Sequence, residues 1–149
     1  MKLKSECKLL YEECFPVTAG NLEHAGEASV KIKRILKKLG IDSDFIKRVS
    51  IACYEAEMNM VIYSCGGSIK LEVYNDKVIV VAEDCGPGIA DVELALRDGY
   101  STASDYVLSQ GFGAGRGFSN IKRCSDSFSI ISEVGKGTKL TLCFNISGT

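Results

Sequence analysis

Histidine occurs once in this 149-residue chain, at His24, and no two cysteines form a C-x-x-C pair. A metal centre built from His and Cys ligands therefore has no support. The seven cysteines are Cys7, Cys14, Cys53, Cys65, Cys85, Cys124 and Cys143. Their number is odd, and Cys53 and Cys143 sit in apolar runs, as buried free thiols do. This pattern predicts a reduced, cytoplasmic protein without a disulfide framework. No stretch approaches the ~18 consecutive apolar residues of a membrane span. The N-terminus has lysines but no apolar run behind them, so no signal peptide is expected. An excess of one charge is also lacking: 18 basic and 19 acidic residues leave a net charge of −1. That excludes nucleic-acid binding driven by bulk charge. The cluster of Lys31, Lys33, Arg34, Lys37 and Lys38 is accounted for by a solvated helix face. His24 reads as a surface helix residue, with a phosphoacceptor as the alternative. There is no G-x-x-x-x-G-K-[ST] sequence, so a P-loop is excluded. Internal repeats, low-complexity tracts and linker-like stretches are absent as well. Residues 1–149 are thus expected to form one domain, long enough to bury a real core.

What is present is a chain with 46% hydrophobic and 25% charged residues, the balance of a globular protein. A first strand is predicted over residues 8–15, ended by Pro16. Ala25, Ala28, Ile32, Ile35 and Leu36 recur at helical spacing and predict a helix over 20–39, closed by Gly40. Asp42, Ser43 and Asp44 offer an N-cap for a second helix over 44–64, with Phe45, Val49, Ala52, Ala56 and Met60 on its apolar face. Two strands follow at 69–74 and 78–82, joined by a tight turn at Asn75 and Asp76. The continuous run Val78 to Val81 predicts a central strand covered on at least one face and restricted on both. A short helix is expected over 90–97, a long loop over 98–113, a helix over 116–124, and strands at 128–133 and 139–144. Helices in pairs and strands in hairpins imply an α+β fold, a mixed sheet with helices on one face. It is not the alternating βαβ pattern of a dinucleotide-binding fold, and no strand immediately precedes the glycines as that fingerprint requires.

Four segments carry the chemistry. Gly111, Gly113, Gly115 and Gly117 place glycine at every second position. Each costs roughly 0.5–1 kcal/mol relative to alanine in a regular element, which fits backbone lying against a phosphate at a helix start. Glu55 and Asn59 are four residues apart and share one helix face. A carboxylate there can orient water or accept a proton, and an amide oxygen can hold Mg²⁺. The plainer reading is a solvated surface pair. Asp84 follows a buried strand and opens a segment with Gly86 and Gly88. A carboxylate so placed can accept from an exocyclic amine, while a simple turn with an Asx cap is the alternative. Gly137 and Thr138 form the last segment.

In this order and spacing the four segments resemble the ATP-binding motifs of the GHKL superfamily of gyrase, heat-shock chaperone, histidine kinase and MutL, over about residues 45–144. The resemblance implies a Bergerat-type two-layer sandwich. Glu55 and Asn59 look like the N box, and Asp84, Gly86 and Gly88 like the first glycine box. Gly111 to Gly117 look like the second, after an ATP lid running from about Gly99. Gly137 and Thr138 look like the closing Gly-Thr element. Without a dimerisation helix pair or a transducer domain, the chain looks most like the bacterial anti-sigma factor and serine/threonine switch-kinase family, on its stressosome branch. By that resemblance Glu55 is the catalytic base, Asn59 the Mg²⁺ ligand, Asp84 the adenine-selecting residue and Thr138 its support. The glycine amides cradle the β- and γ-phosphates. The implied activity is ATP-dependent phosphorylation of a STAS-domain partner, with sequestration of a sigma factor as the alternative and a plain ATPase as a third reading. Homodimers are common in the family; neither nucleic acid nor membrane is implied as a partner. Two departures stand out. Tyr63 occupies the place of a frequent histidine, and Arg116 follows the third glycine, where it either meets a phosphate or points to solvent. Such catalysis rests on positioning and charge neutralisation, so no Ser/His/Asp or Cys/His apparatus is needed.

Overall fold

The computed structural model describes residues 7–86 and 117–146. Strand β1 spans Leu9–Val17, and helices α1 and α2 span Glu27–Lys38 and Ser43–Tyr63. Strands β2 and β3 cover Gly67–Tyr74 and Lys77–Asp84. Helix α3 covers Gly117–Cys124, and strands β4 and β5 cover Ser127–Glu133 and Gly137–Asn145. The expected helix at 90–97, the loop at 98–113, and Gly88, Gly111, Gly113, Gly115 and Arg116 lie outside the described residues.

The five strands form one sheet in the order β1-β2-β3-β5-β4. Every described ladder is antiparallel, so the sheet is not mixed as expected. The register gives the reason. Strand β3 runs from Lys77, opposite Asn145, to Asp84, opposite Thr138. Strand β4 runs from Ser127, opposite Cys143, to Glu133, opposite Gly137. The two therefore point the same way, as a crossover would leave them, but β5 sits between them and runs against both. The α+β layering itself is as the element pattern predicted.

Burial alternates along the strands. Ile69, Leu71 and Val73 of β2, and Val78, Val80 and Ala82 of β3, are buried, while their neighbours are partly so, apart from the exposed Glu83. The central strand is thus fully covered on one face and partly on the other. Ile32 and Leu36 of α1, Val49, Ala52, Ala56 and Met60 of α2, and Ile121 of α3 join the same core. The helices therefore pack as one layer on the face of Leu71 and Val80.

Local chemistry explains the boundaries. Asp42 accepts from the Asp44 and Phe45 amides and caps α2. Pro16 does not end β1; it lies within it, opposite Ser68. Strand β1 pairs only with β2 among the described residues, so the missing N–H falls on an edge strand. The first predicted helix is broken. A 3-10 turn at Leu22–His24 precedes α1, and Gly26 between them has φ +97°. That left-handed conformation suits glycine and no helix. It turns the Gly26 amide toward a carboxylate buried under α1.

Candidate functional site

That carboxylate is Glu57, in the segment that also carries Glu55 and Asn59. It is 3% exposed. Its Oε2 accepts from the amides of Gly26 (2.9 Å) and Ala28 (3.3 Å). Its Oε1 accepts from the Ser29 amide (3.0 Å) and the Ser29 hydroxyl (2.8 Å). A buried charge with every near donor aimed at it is a structural clamp: it satisfies the open amides at the N-terminus of α1 and complements the helix dipole. Sequence reasoning missed it. The available signal was a glutamate four residues after Cys53 on an apolar stripe, where a carboxylate must be paired. Complete burial, with the negative charge of Glu57 adding to it, pushes the Cys53 thiol far above its usual range.

Two residues back, Glu55 points elsewhere. It is half-buried, and its Oε1 accepts from Asn120 Nδ2 of α3 at 3.0 Å. Asn59, one turn on, has a buried amide nitrogen with no hydrogen-bond partner. An orphaned buried polar group costs about 1–3 kcal/mol. Turned over about its last torsion, the same amide presents Oδ1, a hard oxygen of the kind magnesium takes. Among the described residues no group of three His, Cys, Asp or Glu side chains could hold an ion.

The second half of the site lies where β3 ends. Asp84 is half-buried. Its Oδ1 accepts from the Gly86 amide at 2.9 Å and the Thr138 amide at 3.2 Å. Among the described residues nothing donates to Oδ2. One oxygen is thus anchored by two backbone donors. Thr138 of β5 stands opposite Asp84 of β3, and Ser132 of β4 stands opposite Thr138 on its other side. The two hydroxyls are 2.8 Å apart, and Ser132 also donates to the Gly137 carbonyl at 3.2 Å. Ser132 is a second residue that the sequence reading did not single out. Helix α2 reaches this row through its C-terminal end: a Cβ on Gly67, the strand partner of Asp84, would lie 2.9 Å from Met60 Cε and 2.8 Å from Asp84 Cα. The Cys85 amide donates to the Gly66 carbonyl at 3.3 Å, which closes the corner.

The structure therefore joins Asp84, Gly86 and Thr138 by hydrogen bonds and sets Glu55 and Asn59 one turn apart on α2. Gly117 begins α3, which touches Glu55 through Asn120. A cavity of about 390 Å³ beside β1 and α1, walled by Phe15, Val17, His24, Lys31 and Val61, contains none of the predicted site residues.

Comparison with known proteins matches residues 18–144 to the family described as the histidine kinase-like ATPase domain. The chain belongs to this family. Its relatives include the serine/threonine-protein kinase RsbT of Bacillus subtilis (strain 168), 32% identical over 112 residues, 72% of this chain and 78% of the relative. They also include an anti-sigma F factor of Clostridium perfringens (strain SM101 / Type A), 28% identical over 126 residues, 80% of this chain and 86% of the relative. The ATPase domain thus groups with partner-switching kinases and anti-sigma factors, as its motifs implied. Its structure is similar to a chain in the crystal structure of the SiaB-SiaC complex from Pseudomonas aeruginosa, with a TM-score of 0.56. At 13% identity, with 93% of this chain and 91% of that chain covered, this likeness is one of fold. Among the described residues no helix is long and apolar enough to cross a membrane.

Proposed function

We propose that this chain is a cytoplasmic, single-domain ATP-dependent serine/threonine kinase that phosphorylates a STAS-domain protein. The observation that carries the reading is the Asp84 carboxylate at the end of a buried strand, with Oδ1 pinned by two backbone amides and Oδ2 without a donor among the described residues. A carboxylate so held accepts from an exocyclic amine, such as that of adenine, at a fixed angle. It rejects a carbonyl oxygen in the same place, because two acceptors would then face each other. Thr138 keeps Asp84 in position through its amide and is itself held by Ser132. Asn59 would hold magnesium, which when bound with the nucleotide neutralises phosphate charge. The glycines at 111, 113, 115 and 117 would contact the phosphates with their amides. Glu55, on the same face of α2 as Asn59, would orient the partner's hydroxyl and accept its proton.

The anti-sigma F relatives align over more of the chain than the kinase does. Sequestration of a sigma factor is therefore the second reading, and a sigma factor that co-purifies with the protein would favour it.

The experiment is a thermal shift with Mg-ATP, Mg-GTP or neither, followed by incubation with labelled ATP and STAS-domain proteins. ATP at about 100 times Kd should stabilise the protein by roughly 2.7 kcal/mol, and GTP should not. Asp84→Asn keeps an oxygen for the two amides but loses the charge. It should weaken ATP binding by about 10–100-fold, the equivalent of a charge-assisted hydrogen bond. No shift with any nucleotide would refute the site, and full phosphotransfer by Glu55→Ala would refute the role of Glu55.

A further inference from the structure

Asn120 lies on α3, three residues after Gly117. Its Nδ2 donates to Glu55 Oε1 at 3.0 Å, and its Oδ1 accepts from Arg123 Nη2 one turn further along the same helix. The chemistry of the partners fixes the amide's orientation. An ionised carboxylate only accepts and a guanidinium only donates, so the amide cannot turn over without losing both bonds. Among the described residues no other group donates to Glu55.

From this geometry we infer that Asn120 is the positioning residue for Glu55. It holds one carboxylate oxygen so that the other faces the attacking hydroxyl, and Arg123 holds Asn120 in turn. The inference rests on the role proposed above for Glu55 and adds the group that sets its aim. A carboxylate on a glutamate stem has three rotatable bonds, and a base displaced by about 1 Å can lose about 10²-fold in rate. A bridge from α3 removes that freedom. Because α3 begins at Gly117, the last of the alternating glycines, the helix that follows the proposed phosphate-binding segment also sets the position of the base.

The test is a mutant cycle in the full chain. Asn120→Ala and Asn120→Asp are made alone and together with Glu55→Gln. Two quantities are read: Mg-ATP affinity by thermal shift, and phosphoryl transfer from labelled ATP to a STAS-domain partner or to water. Alanine is the best helix former, so Asn120→Ala keeps α3 intact. It should leave ATP affinity within about threefold of wild type and slow transfer by roughly 10–100-fold, as expected for a misaimed acid–base group. Asn120→Asp is nearly isosteric but sets a carboxylate against Glu55, and should be slower still. In the Glu55→Gln background Asn120→Ala should change the rate by less than about twofold, because a positioning residue has nothing left to position. Equal losses in both backgrounds would show a merely structural residue and overturn the inference. An unimpaired Asn120→Ala beside a slow Glu55→Gln would overturn it while leaving the proposed function standing. A full-rate Glu55→Gln would remove the proposed role of Glu55, and this inference with it.

Discussion

Replacing Glu57 by glutamine tests the clamp between α1 and α2. The substitution keeps volume and one oxygen but removes the charge. In the native protein the carboxylate takes four donors: the amides of Gly26, Ala28 and Ser29 and the Ser29 hydroxyl. A glutamine settles at lowest cost with its NH₂ toward Ser29, whose hydroxyl can rotate to accept. The Ser29 amide is then left without a partner, at a cost of about 1–3 kcal/mol. Loss of a buried negative charge at the N-terminus of α1 adds about 0.3–2 kcal/mol. The sum is roughly 1–5 kcal/mol, and with a melting temperature that moves about 2–4 °C per kcal/mol at this chain length, Tm should fall by about 3–20 °C. Thermal unfolding followed by circular dichroism, with a denaturant titration alongside, reads the change. The thermal stabilisation by Mg-ATP, measured from the lowered Tm, should persist, because Glu57 faces α1 and not the Asp84 row. A Glu57→Gln variant that melts within about 2 °C of wild type would refute the clamp, since even the cheapest arrangement leaves one buried amide unpaired.

Two further outcomes follow from close packing. Gly137 has φ +117°, and a Cβ there would stand 2.0 Å from the Asp84 carbonyl oxygen. Gly137→Ala should therefore destabilise the β3–β5 ladder by about 1–3 kcal/mol or more and weaken ATP binding, and a variant with wild-type Tm and affinity would contradict the register described. Cys53 is completely buried with its thiol held neutral, whereas Cys14, Cys65 and Cys85 are exposed. An alkylating reagent at pH 8 should label the exposed thiols in the native protein and reach Cys53 only on unfolding, which peptide mass spectrometry reads directly.

Much of the fold was legible because its signals are local. The heptad-like recurrence of Phe45, Val49, Ala52, Ala56 and Met60 defined α2, Asp42 marked its start, and Asn75 with Asp76 marked the β2–β3 hairpin; each depends on residues within a turn of one another. Pairing across the sheet was not legible, because it depends on which strand slips between two others. Strand β5 entered between β3 and β4, and no feature of either hairpin alone states that. The break at Gly26 was hidden for a similar reason. Ala25 and Ala28 continue the helical period, but the acceptor that draws the Gly26 amide out of the helix is Glu57, 31 residues away.

The sequence by itself determined the family and the types of donor and acceptor available to the site, because the four segments keep their order, their spacing and their glycines. The tertiary structure alone decided which of two glutamates two residues apart is clamped beneath a helix. On α2 they face opposite ways: Glu57 lies under α1 with four donors, and Glu55 faces α3 with one. It also decided that Thr138 serves Asp84 through its amide, and that Asn120 reaches Glu55. Side chains 54 and 65 residues apart in the chain meet only when strands pair and helices pack, and hydrogen bonds act over about 3 Å of space, whatever the distance along the chain.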